Sequence, residues 1–118
     1  MDVRDRLIVV TGGAQGIGRA LCRRFAQAGA RAVVVVDKDS EGAAAEAAEF
    51  SGLALGCDVA DEAQVQRLVA EVTERAGPID LFCSNAGILG PPGGLEAENA
   101  AWQRVLEVNF WAHLYAAR

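Results

Sequence analysis

The chain has 118 residues, enough for one domain or part of one, and its 52% hydrophobic and 23% charged content argues against disorder. Eleven basic residues against sixteen acidic ones give a net charge of −5 with no basic run, so neither nucleic acid nor an anionic membrane is an expected partner. Cys22, Cys57 and Cys83 are widely spaced and form no CxxC, which argues against a disulfide framework or a zinc site and for reduced thiols packed as small hydrophobes.

Leu7 to Val10 is a short apolar run ended by Thr11-Gly12-Gly13, which reads as a buried strand and a turn. It is too short for a signal peptide, and no apolar stretch approaches the length of a membrane span, so the expected compartment is the cytoplasm. Ile17, Leu21, Phe25 and Ala28 share one helical face, and Gly29 closes that helix. Arg31 to Asp37, centred on Val33 to Val36, is a second strand, apolar on both faces as a parallel strand covered by helices must be. Ser40 is placed to cap a helix through about residue 50, with Ala43, Ala44, Ala47 and Phe50 inward.

Leu53 to Cys57 is a third strand. Asp61 and Gln64 form a capping pair ahead of the most regular helix, in which Val65, Leu68, Val69, Val72 and Ala76 repeat at helical spacing. Gly77-Pro78 stops it, Ile79 to Cys83 is a fourth strand, Ser84 to Gly94 is a loop, and a last helix starts near Glu96. Strands alternating with helices imply βαβ units and a parallel sheet between helical layers, an α/β doubly wound fold of the Rossmann type or its N-terminal portion.

The segment Thr11 to Gly18 joins the first strand to a helix, the setting in which a glycine-rich turn binds a pyrophosphate. One glycine allows the tight turn, another lets backbone N–H groups approach the phosphates, and a third lets the helix pack close to the sheet. The helix N-terminus adds unpaired donors and a positive partial charge. A Walker loop is excluded, since no Lys-Ser or Lys-Thr follows and the only lysine is Lys38. Asp37 ends the second strand 19 residues past Gly18, where an acidic side chain accepts from the adenosine ribose; a carboxylate there repels a 2′-phosphate and favours NAD over NADP. Asp39 reads as loop solvation.

On the last helix, Trp102, Val105, Leu106 and Asn109 share a face, so Asn109 is a polar group on an apolar stripe and needs a partner. His113, four residues on, reads as a satisfied core histidine, and no second histidine exists for a metal site. Trp102, Phe110, Trp111 and Tyr115 read as packing, and Glu71 with Arg75 as a solvated i, i+4 pair.

TGGAQGIG at 11–18, Asp58-Val59 after the third strand and Ser84-Asn85-Ala86-Gly87 after the fourth resemble the short-chain dehydrogenase/reductase family, in its branch with TGxxxGxG and NNAG signatures. The resemblance covers essentially the whole chain. It implies that Gly12, Gly16, Ile17 and Gly18 line the pyrophosphate, with Gln15 near the adenosine. Asp58 would bond the adenine amino group and Val59 would flank the ring. Asn85, Ala86 and Gly87 would support the sheet and run along the cofactor, while Asn109 would join the catalytic tetrad and help hold a water in a proton relay. Ser84 stands where the family usually has a second asparagine, and its hydroxyl can bond local backbone instead.

The family's catalytic serine, tyrosine and lysine, the last two in a YxxxK pattern, have no counterpart here: Tyr115 has no residue four positions on, and Lys38 lies far upstream. The chain alone is therefore expected not to turn over substrate. From Val108 onward the last helix is apolar nearly all round, and a fourth strand left at the sheet edge is a pairing hazard, so a partial sequence with poor solubility on its own is expected. The leading expectation is residues 1–118 as the N-terminal cofactor-binding part of an NAD-dependent oxidoreductase acting between an alcohol and a ketone, a homo-oligomer when complete. The rivals are a non-catalytic dinucleotide-binding or scaffold protein, and an interaction module using the terminal helix.

Overall fold

Val33 to Val36 cannot all face one side of a strand, so both faces of that strand must be covered. A computed structural model describes residues 1–118 and shows how this is done. Strands β1 (Leu7–Thr11), β2 (Ala32–Asp37), β3 (Leu53–Gly56) and β4 (Leu81–Cys83) form one parallel sheet in the order β3-β2-β1-β4. Ile8 pairs with Val33 on one side and Leu81 on the other, which sets the register of β1 against both β2 and the edge strand β4.

Alternate residues of the central strands feed two cores. Leu7, Val9, Val34 and Val36 pack with Cys57 and with Val65, Leu68 and Val72 of α3 (Glu62–Ala76). Ile8, Val10, Val33 and Val35 pack on the opposite face with Cys22 of α1 (Gly16–Gln27) and with Ala43 and Ala47 of α2 (Ser40–Ala48). Each fully buried Val, Leu or Ile contributes roughly 1.5–3 kcal/mol, so these two layers dominate the stabilisation. After β4 a 3₁₀ turn (Gly94–Glu96) leads to α4 (Asn99–Leu106), a π-helical turn (Glu107–Trp111) and α5 (Ala112–Ala117), whose Tyr115 packs against the α3 core. No helix is long and apolar enough to cross a membrane.

Several local expectations are corrected. Ile17 is 75% exposed and lines an open cleft; Gly18 and Cys22 take the buried face. Helix α2 is capped by Asp39, whose carboxylate accepts the Gly42 N–H at 3.0 Å, so Asp39 is a cap and not loop solvation. Ala44 is exposed, while Glu46 on that helix is buried and paired with Arg23 at 2.6 and 2.9 Å. The last helix starts at Asn99 and is broken by the π-helical turn. Phe110 and Trp111 are exposed and meet edge to face, with ring centroids 5.3 Å apart, so neither is core packing. The Asp61–Gln64 cap is present, with Asp61 accepting the Gln64 N–H at 3.2 Å, as is the Glu71–Arg75 pair at 3.0 Å.

Candidate functional site

From β1 the chain moves outward to β2 and β3, then returns to β4 on the other side of β1. At such a switch point the loops leaving adjacent strands diverge and open a crevice at their C-terminal ends. A cleft of about 480 Å³ lies there, and four separate chain segments line it. The turn after β1 contributes Gly12, Gln15, Gly16, Ile17 and Gly18; the end of β2 contributes Asp37 and Lys38. The segment after β3 contributes Cys57, Asp58 and Val59, and the segment after β4 contributes Asn85, Ala86, Gly87 and Ile88. Arg104 and Val108 complete the wall from α4 and the π-helical turn.

Three glycines of the first turn differ in what holds them. A Cβ on Gly18 would stand 2.0 Å from the Gly12 carbonyl oxygen, so the close approach of α1 to the end of β1 requires its absence. Gly16, at φ +57°, has nothing within 4 Å of where a Cβ would be, so its backbone faces open space. Gly12 combines φ +67° with a Cβ position 2.9 Å from Ala86 Cα, which makes it both a turn and a contact residue. The first N–H groups of a helix have no helical acceptor. In α1 the N–H of Arg19 is already bonded, to the Gln15 carbonyl at 3.2 Å.

Asp37 is fixed against this turn. Its Oδ2 accepts the Ala14 N–H at 3.1 Å and its Oδ1 the Asp39 N–H at 3.0 Å. On the other side of β1, the buried Thr11 hydroxyl accepts the N–H groups of Asn85 at 3.0 Å and Ala86 at 3.1 Å. The Asn85 side chain donates back to the Thr11 carbonyl at 3.0 Å. Asp58 accepts from Ala60 N–H and from Arg104, each at 3.1 Å. Burial pushes the Cys57 thiol, at the cleft wall, up to about 11, aided by the nearby Asp58 charge, so it is a neutral thiol at pH 7.

Asn109 lies outside this cleft, in an adjoining shallower depression with Asn85 to Leu89 and His113. Its partner is one backbone unit: Oδ1 accepts the Ile88 N–H at 2.9 Å and Nδ2 donates to the Ile88 carbonyl at 2.7 Å. Although Asn109 is exposed, both ends of its amide are therefore satisfied. It sits within the π-helical turn, a local irregularity frequent at functional sites. His113 is exposed, not core, and shares a hydrogen bond with the Ser84 hydroxyl at 2.6 Å through Nδ1, so Ser84 bonds α5 and not local backbone.

Sequence reasoning missed Lys38, Cys57, Ile88, Arg104 and Val108 as cleft residues. Nothing in the local pattern marks Arg104, because its partner Asp58 is 46 residues away. Val108 was legible only as part of an apolar helix, and Ile88 only as loop.

The family model for short chain dehydrogenase matches residues 6–118. The chain is 42% identical over 125 residues to a 1-deoxy-11-beta-hydroxypentalenate dehydrogenase of Streptomyces exfoliatus, an alignment covering 100% of this chain and 45% of that protein. It is 41% identical over 113 residues to levodione reductase of Leifsonia aquatica, covering 89% of this chain and 42% of the relative. Among solved structures, a 3-ketoacyl-(acyl-carrier-protein) reductase from Brucella melitensis complexed with NADH superimposes with a TM-score of 0.91 at 32% identity, over 98% of this chain and 49% of that one. The chain thus spans less than half the length of these relatives.

Proposed function

We propose, since the chain belongs to the short-chain dehydrogenase family, that it is the N-terminal, cofactor-binding part of an NAD-dependent oxidoreductase interconverting an alcohol and a ketone. The observation that carries this reading is convergence. Eleven residues expected at a dinucleotide from four separate sequence segments line a single cleft at the strand ends. The cleft fits the cofactor chemically. Gly16 leaves open space where a side chain would stand, and the first turn of α1 presents donors suited to a pyrophosphate. Asp37, held by Ala14 and Asp39, is fixed for accepting from ribose hydroxyls, and a carboxylate at that place disfavours a 2′-phosphate.

When bound, the nicotinamide ring gives or takes the hydride. The chain's own part is binding and orientation. Gly16 to Gly18 hold the pyrophosphate, Asp37 the adenosine ribose, and Asp58 with Val59 the adenine end. Asn109 fixes the loop at Ile88, beside the route along Asn85 to Gly87. In this reading the serine, tyrosine and lysine that handle the substrate proton lie past residue 118 of the complete protein, which is a cytoplasmic homo-oligomer acting on a small molecule.

The test is a fluorescence titration of the protein at its native length with NADH and NADPH. Saturable NADH binding, tighter than NADPH binding, is expected. Absence of binding by both cofactors overturns the reading.

A further inference from the structure

An ionised carboxylate offers about four acceptor positions, two on each oxygen. At Asp58 one position on Oδ1 takes the Ala60 N–H at 3.1 Å. Arg104 Nη2 donates to Oδ1 and to Oδ2, both at 3.1 Å. Oδ1 is therefore saturated, and Oδ2 keeps a single open position. The backbone beneath is also held, since the Asp58 N–H donates to Gln64 Oε1 at 2.9 Å. Both side chains of the ion pair line the cleft, and they remain 29% and 38% exposed, so a ligand can reach them.

Resting on the cofactor reading above, we propose that Arg104 is a positioning residue for the adenine end of the dinucleotide. By taking one lone pair on each Asp58 oxygen, it leaves the carboxylate a single acceptor of fixed direction, which selects a 6-amino group over a 6-oxo group. An amino donor meets an open acceptor; an oxo group meets a lone pair and is repelled, the unfavourable contact that specificity needs. Arginine suits the task because its guanidinium is permanently charged and its Nη2 carries two N–H groups, one for each carboxylate oxygen. Without it, the carboxylate regains two acceptor positions and turns toward water. The amino contact then weakens, and the oxo group no longer faces a fixed lone pair.

The experiment compares NADH with its hypoxanthine analogue, binding followed by nicotinamide fluorescence, in the protein at its native length. Wild type is expected to prefer NADH. Arg104→Met should weaken NADH binding about tenfold, the value of one charge-assisted contact, while the analogue changes about twofold or less, so the preference shrinks. Asp58→Ala should shrink it as well, and adding Arg104→Met to Asp58→Ala should change it no further, as residues acting through one contact require. Should Arg104→Met fail to fold, Arg104→Gln carries the same comparison: its shorter, uncharged amide supplies no charge-assisted contact to the two oxygens, and a preference reduced about threefold is expected. Equal weakening of both ligands, or an unmoved preference in a protein that binds NADH, overturns the role of Arg104. Failure of wild type to bind either ligand overturns the cofactor reading and this inference with it.

Discussion

Thr11 and Asn85, 74 residues apart, hold each other twice: the Asn85 N–H donates to Thr11 Oγ1 at 3.0 Å, and the Asn85 side chain donates to the Thr11 carbonyl at 3.0 Å. The Ala86 N–H shares the same hydroxyl. One buried hydroxyl thus locks the segment after β4, which lines the cleft at Asn85 and Ala86, to the end of β1. Thr11→Val keeps the shape and removes the acceptor, leaving two N–H groups without their partner. A loss of about 1–3 kcal/mol is expected in urea denaturation. Thr11→Ser should recover most of that loss, and equal stability of the Val variant and wild type would show that the hydroxyl is not a lock.

The glycines of the first turn should separate folding from binding. Gly18→Ala forces a methyl to within 2.0 Å of a backbone carbonyl oxygen and should destabilise the protein by about 3 kcal/mol or more. Gly16→Ala meets no atom and carries only the cost of a left-handed backbone, roughly 1–2 kcal/mol. Its methyl, however, enters the space proposed for the pyrophosphate. A Gly16→Ala protein with a near-normal melting transition and NADH binding weakened at least about tenfold is the expected pair of results.

What the sequence made legible follows from the range of its signals. The four valines of β2 announce a strand covered on both faces, because that constraint is local, and the glycine-rich turn announces itself by its place between strand and helix. Asp61 and Gln64 are equally local. Asp39 and Ser40 are both capable caps, and only the reach of the Asp39 carboxylate to the Gly42 N–H decides between them. Arg104 with Asp58 and Ser84 with His113 pair over 46 and 29 residues, so periodicity carries no trace of either. The exposed Ile17 shows the converse failure: its residue type fits a core face, yet its place at the start of α1 puts it on the open cleft.

Cofactor choice should depend on Asp37. The carboxylate is tethered to the turn by Ala14 and to the following loop by Asp39, so it cannot swing away from a 2′-phosphate. Asp37→Ala removes the repulsion and the ribose acceptor together. NADH affinity should fall and NADPH affinity rise, moving their ratio by at least about tenfold. An unchanged ratio in paired titrations would mean that another group, with Lys38 the nearest cation on the cleft wall, sets the choice.

The thiols should be inert in the native state. Burial pushes Cys22 up to about 12 and Cys57 up to about 11, and it raises Cys83 as well. Since the thiolate is the reactive form, alkylation by iodoacetamide at pH 7.5 should be slow in native protein and fast in urea. Rapid native labelling at Cys57, read by mass spectrometry, would show that the cleft wall opens to solvent.

Acid sensitivity should come first from the join between β1 and β4. Asp80 accepts the Leu7 N–H at 2.8 Å and Arg6 Nη1 at 3.3 Å, and the Leu7 N–H, more than the Arg6 charge, holds its carboxyl below the ordinary 3.8. Asp61 is lowered too, chiefly by the Gln64 N–H that it caps. A carboxyl depressed in the folded state binds protons more readily once unfolded. Its contribution is therefore complete above the unfolded value and is lost as pH falls through the folded one. Urea midpoints should stay flat from pH 7 to about 5 as far as these groups are concerned, then fall below about pH 4. Asp80→Asn should lower the midpoint at pH 7 and flatten the acid limb, because its uncharged amide has no proton to take up. A variant whose acid limb matches wild type would place the titration elsewhere and leave Asp80 as an acceptor that holds the start of β1 without contributing to the pH dependence.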